Sequence, residues 1–471
     1  MQKPHYIMKN ATTRALYVLL LAGMLFSCNE PKHYDLAITN VKVFNTEANK
    51  VISGQTVLIN ADTIAAVIPA GEKYNAKETI AGNGRLVCPG FIDTHMHLTD
   101  ILGDFEHAPE YLVQDSIAVY KKRIADTYLP YGTTTIKVDG QPEKWIAPSL
   151  DWQNNPQPGF PDIYICGGAL ISHEDRVPYL GHAEVKDPAD AARKVQAYHD
   201  MGIRYIKLYW RLRTPEFIGA IKKAAALKMN VCAHLGSAVT IDTALFYGLR
   251  HFEHLFTLEA SAPFNTMKEY NGSISELNKH FNSKSFMPQQ LEIFRYKDSL
   301  PDVRAKMYQL IDEMAADSAT LSTTIHMFGS YAGRAYFKSF FQTKLHTEDV
   351  PEPFTDAQKQ RLGEDFDILM KYLKRAHDKG VKIVIGTDCM DGGKAMISEM
   401  LLMYEAGFPI GDILQIATIN GAASTGLGNK YGSIKAGKKA DLVIFDKDPY
   451  KNYKNFLSEK VVIKDGRVYR K

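Results

Sequence analysis

The run Val87-Cys88-Pro89-Gly90-Phe91-Ile92-Asp93-Thr94-His95-Met96-His97-Leu98 decides how this chain is read. An apolar stretch with strand character ends in two histidines spaced by two. Residues two apart on a β-strand face the same way, so both imidazoles converge on one point. A metal ion needs that convergence; a packed apolar core does not. The plain alternative is a pair of core histidines satisfied by their neighbours, and it loses weight as ligand-capable residues accumulate along the chain.

Outward from that run, the segment 87–427 alternates short apolar strands with helices, the pattern of a parallel α/β fold. Candidate strands are 86–92, 133–138, 162–166, 205–209, 231–234, 251–254, 322–326 and 382–386. Eight is the number that a closed (β/α)8 TIM barrel requires. Helix punctuation agrees: Asp187-Pro188 precedes 191–198, with Gly202 after it, and Thr214-Pro215 precedes 217–227. Leu362, Phe366, Leu369, Leu373 and Ala376 mark one helical face, closed by Gly380. The segment 259–319 exceeds a usual connection and is either a lid over the barrel mouth or a structural insertion. Short strands at both ends, 34–86 and 428–471, predict a small discontinuous β-sandwich domain built from the two termini.

With 45% hydrophobic and 23% charged residues in 471, the chain describes a soluble globular protein with ample core. A net charge of +3, without a Lys/Arg-rich patch, argues against a nucleic-acid partner. Lys3, Lys9 and Arg14 precede the apolar run 15–26 and then Ser27-Cys28. A basic start and a short apolar core read as an export signal, too short to span a bilayer comfortably. Leu25-Phe26-Ser27-Cys28 resembles a bacterial lipobox, which implies a signal peptide over 1–27 and acylation of Cys28. A signal peptide with an incidental cysteine and a short anchor are the alternatives. The lipobox reading places the protein at the cell envelope, on the periplasmic or outer-surface face. Cys88, Cys166, Cys232 and Cys389 lie in or beside predicted buried strands and read as core filler, without a disulfide framework.

Reactive groups in such a barrel sit at the C-terminal ends of strands. Five predicted strands supply one: His95 and His97, then Lys207, His234, His254 and Asp388. Neutral imidazole and carboxylate are natural zinc ligands. Taken singly, Lys207 also fits a snorkelling or salt-bridged lysine, His234 and His254 fit core histidines, and Asp388 fits a helix cap. His251 is out of phase with His254 and is expected to face the helices.

The order His-x-His, Lys, His, His, Asp resembles the binuclear members of the amidohydrolase superfamily. Supporting runs are 129–135 (Leu-Pro-Tyr-Gly-Thr-Thr-Thr), 417–423 (Ala-Thr-Ile-Asn-Gly-Ala-Ala), and Gly432-Ser433-Ile434 through Ala440-Asp441-Leu442-Val443. The likeness covers nearly everything after residue 34 and is greatest to the imidazolonepropionase-like branch, which includes metal-dependent dipeptidases. It implies two divalent metal ions, zinc being best suited, and CO2 held on Lys207 as a carbamate that bridges them. It further implies a metal-activated water as nucleophile, with Asp388 as ligand and catalytic base. His234-Leu235-Gly236-Ser237 lacks the glutamate of deaminase relatives, and imidazolonepropionase itself lacks the strand-four lysine. The expected activity is therefore hydrolysis of a C–N bond in a dipeptide, N-acyl amino acid or cyclic amide. A lactonase or phosphoester hydrolase using the same centre is the enzymatic alternative. A surface lipoprotein that only binds a ligand is the non-catalytic one. His173, Arg176, His182, Tyr209 and Arg211 are reachable candidates for gripping a substrate carboxylate. Expected partners are a small-molecule substrate, a membrane through the anchor, and further copies in a homo-oligomer.

Overall fold

The computed structural model describes residues 33–98, 117–173, 182–281, 286–338, 354–389 and 391–469. The segment expected to be a signal, Cys28 and Arg176 lie outside the described residues. Alternating apolar residues give five opening strands: β1 (His33–Asn45), β2 (Lys50–Asn60), β3 (Thr63–Pro69), β4 (Asn75–Ala81) and β5 (Leu86–Pro89). Ten follow in the middle: β6 (Phe91–Met96), β7 (Thr133–Val138), β8 (Asp162–Ile165), β9 (Ala169–Ser172), β10 (His182–Val185), β11 (Tyr205–Leu208), β12 (Asn230–Ala233), β13 (His251–Phe252), β14 (Thr320–Ser322) and β15 (Lys382–Val384). The chain closes with β16 (Leu442–Phe445), β17 (Lys460–Lys464) and β18 (Arg467–Val468).

The run that opened the reading is two strands. Gly90 separates β5, which joins the terminal sheet, from β6, which opens the barrel. A Cβ at Gly90 would lie 2.1 Å from Thr134 Oγ1, so only glycine fits where the chain crosses between the sheets. Both chain ends share one mixed eight-stranded half-barrel sheet, where two facing layers are expected from sequence. Val41, Val57, Ile59, Ile64, Leu442 and Ile444 form its own apolar core.

Parallel pairing gives two arcs, β6-β7-β8 and β10-β9-β11-β12-β13-β14-β15. They meet at both seams. Cys166 bridges Tyr205. On the other side Thr94 N donates to Ile385 O at 2.9 Å and Asp388 N to His95 O at 2.8 Å. The α/β architecture is thus that of a TIM barrel, with β6–β8 and β11–β15 as its staves. β9 and β10 are not expected from sequence; β9 carries the third stave onward after Gly167-Gly168. The seventh stave is shifted, covering Thr320–Ser322, and His326 lies in the helix Ile325–Tyr331.

Helices cover the barrel. Asp187 caps Pro188–Asp200 by accepting from Asp190 N, as the Asp-Pro signal predicts. The long segment after β13 forms Met267–His280, Phe286–Ser299 and Pro301–Ala316. Arg295 to Asp365 (2.6 Å) and Tyr372 to Asp298 (2.6 Å) fasten it to the outer helix Asp356–Asp378, so it is built into the outer layer. A buried ion network joins the terminal sheet to the barrel: Lys464 Nζ lies 3.1 Å from Asp162, 3.4 Å from Asp441 and 2.7 Å from Asp465. Among the described residues no helix is long and apolar enough to cross a membrane.

Candidate metal centre

β6 ends at Met96, so His95 is its last residue but one and His97 follows it. Asp388 stands four residues beyond β15, held to His95 by the backbone bond above. Asp93 supports both elements: its carboxylate accepts from Thr387 N (3.0 Å), Thr387 Oγ1 (2.6 Å) and His95 N (3.2 Å). The result is a convergence of one oxygen and two nitrogens. Asp388 Oδ1 lies 3.2 Å from His97 Nε2 and 3.6 Å from His95 Nε2, and the two Nε2 atoms are 3.4 Å apart. Asp388 Oδ1 is buried and receives no hydrogen bond. The helix Gly392–Glu405 takes Asp391 at its N-cap position, so Asp388 is not its cap.

His254 and His234 extend the cluster. The ring of His254 lies 4.7 Å from that of His95 and 4.5 Å from that of His234. Three of these rings have their Nδ1 engaged: His95 with Glu253 Oε2 (2.7 Å), His97 with Gly140 O (3.3 Å), His254 with Thr324 Oγ1 (2.8 Å). That leaves the Nε2 atoms of His95 and His97 to face each other, the arrangement in which metal-binding histidines are oriented by outer partners. Burial, with the charge of Lys207 or of neighbouring imidazoles behind it, holds His95, His234 and His254 well below the usual histidine range. They are neutral, the form that coordinates. Imidazole nitrogens with a buried carboxylate oxygen fit a divalent ion such as zinc. Positive backbone φ at His254 (65°), Thr324 (58°) and Asp388 (52°) concentrates strain at this cluster, as functional sites do.

Lys207 is fully buried and its Nζ donates to Asp139 Oδ2 at 3.2 Å. Asp139 belongs to a group that sequence reasoning missed. Lys137 Nζ lies 3.0 Å from Asp139 Oδ1 and 3.3 Å from Glu253 Oε1, all in the barrel interior. Burial opposes charge on both carboxyls, yet Lys137 and Lys207 outweigh it and hold Asp139 and Glu253 below the usual range. Burial likewise opposes charge on the two lysines, and Asp139 leads the groups that raise them. His251 does not face the helices: its Nε2 lies 3.3 Å from Glu253 Oε1. β13 is only His251–Phe252, so the alternation that set His251 apart from His254 ends before Glu253.

The proposed substrate-gripping residues separate. The Tyr209 ring lies 5.1 Å from His234 and 4.5 Å from His182, which puts both beside the centre. Burial and then the nearby His97 push His182 down to about 4. Arg211 stacks over Trp210 at 4.3 Å, and His173 pairs with Glu184 at 2.7 Å. Neither Trp210 nor Glu184 belongs to the imidazole cluster. The free thiols of Cys88, Cys166, Cys232 and Cys389 are buried, as expected of core filler.

Comparison with known proteins agrees with this architecture. The sequence profile of the amidohydrolase family matches residues 368–469. Imidazolonepropionase of Geobacillus kaustophilus (strain HTA426) is 34% identical over 110 residues, 20% of this chain and 26% of that protein. Adenine deaminase of Desulforamulus reducens is 31% identical over 151 residues, 32% of this chain and 20% of that one. The chain thus matches about a quarter of the length of these curated relatives or less. Solved structures extend the likeness to the whole fold. A Xaa-Pro dipeptidase with methionine bound in its active site superposes with a TM-score of 0.65 at 19% identity, covering 93% of this chain and 100% of that one. A structure described as a putative prolidase from Bifidobacterium longum gives 0.63 at 19% identity, covering 93% and 95%. The chain is thus similar to amidohydrolases in sequence over 368–469 and in fold over nearly its whole length.

Proposed function

We propose that this protein is a binuclear metal hydrolase that cleaves the C–N bond of a dipeptide or N-acyl amino acid. The observation that carries the proposal is the convergence of His95 Nε2, His97 Nε2 and the undonated Asp388 Oδ1, with His234, His254 and buried Lys207 around them. His95, His97, His234, His254 and Asp388, with Lys207 as a carbamate, would hold two divalent ions. Carbamate formation joins Nζ to the carbon of CO2 and releases two protons from the ammonium, turning a cation into an anion. A buried cation facing imidazole ligands opposes metal binding, and that conversion removes the opposition. When bound, the ions supply an activated water and a Lewis acid for the scissile carbonyl.

The chain's own residues do the rest. Asp388 Oδ1, free of hydrogen bonds, takes the proton of the attacking water and returns it to the leaving nitrogen. Tyr209 and His182 flank His234 and orient the substrate. The absence of a glutamate shortly after His234 disfavours deamination of a heterocycle. The Xaa-Pro dipeptidase and prolidase among the structural neighbours support a dipeptide as substrate class. The test is a parallel assay of dipeptides, N-acyl amino acids, lactones and phosphotriesters with zinc and bicarbonate. Turnover confined to C–N substrates supports the proposal; turnover of lactones or phosphotriesters alone contradicts it.

A further inference from the structure

Of the three rings with an engaged Nδ1, His95 alone has a carboxylate as partner. Glu253 Oε2 sits 2.7 Å from that nitrogen. The other oxygen, Oε1, lies 3.3 Å from Lys137 Nζ and 3.3 Å from His251 Nε2. Glu253 is 0% exposed and Lys137 3%, so no bulk water substitutes for these contacts. An ionised carboxylate only accepts, and a neutral imidazole carries one N–H. The proton between Glu253 and His95 therefore sits on Nδ1, and the lone pair falls on Nε2. That Nε2 is the atom that meets His97 and Asp388.

We propose that Glu253 is a positioning residue that fixes His95 as an Nε2 ligand, with Lys137 as the cation that holds the carboxylate in place. This rests on the reading of the cluster as a divalent-metal centre. His97 and His254 use neutral partners, a carbonyl and a hydroxyl, which orient a ring without charging its surroundings. A carboxylate also raises the basicity of the imidazole and strengthens its bond to a metal. Glu253 touches no substrate in this role. It acts through His95, and Lys137 acts through Glu253.

Zinc affinity of the full chain, measured by competition with a chromophoric chelator in bicarbonate buffer, tests the assignment. Glu253→Asp keeps the charge beside Lys137 but is one methylene short of His95. It should lose about 10–100-fold in affinity at one of two sites. Glu253→Gln keeps an accepting oxygen without the charge, and its loss should lie near the lower end, about 10-fold. Wild-type affinity at both sites in both variants overturns the assignment, as does a melting-temperature drop with affinity unchanged. A wild-type chain that takes up no zinc overturns both this role and the metal centre beneath it. Nitrogen-15 NMR of histidine-labelled protein gives a second measure that needs neither metal nor variant. His95 protonated on Nδ1 supports the role, and protonation on Nε2 overturns it.

Discussion

Lys137→Met removes one cation from the buried charge group beside the imidazole cluster. Its Nζ lies 3.0 Å from Asp139 and 3.3 Å from Glu253, and all three side chains are 4% exposed or less. At an effective dielectric constant of about 20, each contact carries about 5 kcal/mol of gross attraction. Desolvation offsets much of this, and breaking one partner out of a buried pair typically costs about 3–5 kcal/mol. Asp139 keeps Lys207 at 3.2 Å, whereas Glu253 is left with neutral His95 and His251, so the loss falls mainly on Glu253. At about 2.1 cal/mol/K per residue, cooperative unfolding of a chain this long has an entropy of about 1 kcal/mol/K. The melting temperature should therefore fall by about 3–5 °C, read by scanning calorimetry in the presence of a chelator. The double variant Lys137→Met/Glu253→Gln leaves Asp139 and Lys207 balanced and should be more stable than the sum of the singles by about 1–3 kcal/mol. A single variant within about 1 °C of wild type, or a strictly additive double, refutes the reasoning.

Asp388→Asn keeps the shape and removes the base, so turnover should fall by roughly 10²–10⁴ with the melting temperature nearly unchanged; kinetics and calorimetry on one preparation check both. Lys207→Ala should lose activity and regain part of it with short carboxylic acids, which can occupy the place of the carbamate; an active, unrescued variant would remove the carbamate. Glu399, fully buried, accepts from Thr323 Oγ1 and from His326 N at 3.0 Å, and burial pushes its carboxyl up to about 8 in spite of those bonds. Its folded state binds a proton more tightly than the unfolded chain, so its stabilisation is complete below about pH 4.5 and lost as pH rises through 8. The melting temperature of wild type should therefore decline relative to Glu399→Gln between about pH 5 and 8. Parallel melting curves would contradict this.

The parts of the site legible in the sequence are those at strand ends. His95-Met96-His97 follows from strand parity, and His234, His254 and Asp388 follow from the position of reactive groups on a barrel. Lys137, Asp139 and Glu253 are hidden because a charged residue in a short strand normally marks a solvated face. Only the closed barrel shows that these three are buried together. The available signal is parity: Lys137 and Asp139 are two apart, as are His251 and Glu253. The stretch Ser322-Thr323-Thr324-Ile325-His326 reads as strand from its β-branched residues. Its second half turns into helix because Thr324 takes a left-handed backbone and Glu399 binds Thr323 and the amide of His326. The extra strands β9 and β10 are missed because four residues after Gly167-Gly168 carry too little periodicity to register.

Six side chains on five staves are proposed to hold a pair of ions. Metal content per chain, measured by elemental analysis after reconstitution with zinc and bicarbonate and removal of excess, tests it most directly. About two zinc ions per chain are expected, because six ligand-capable groups exceed what one tetrahedral ion uses. A value of about one or less under those conditions would contradict it.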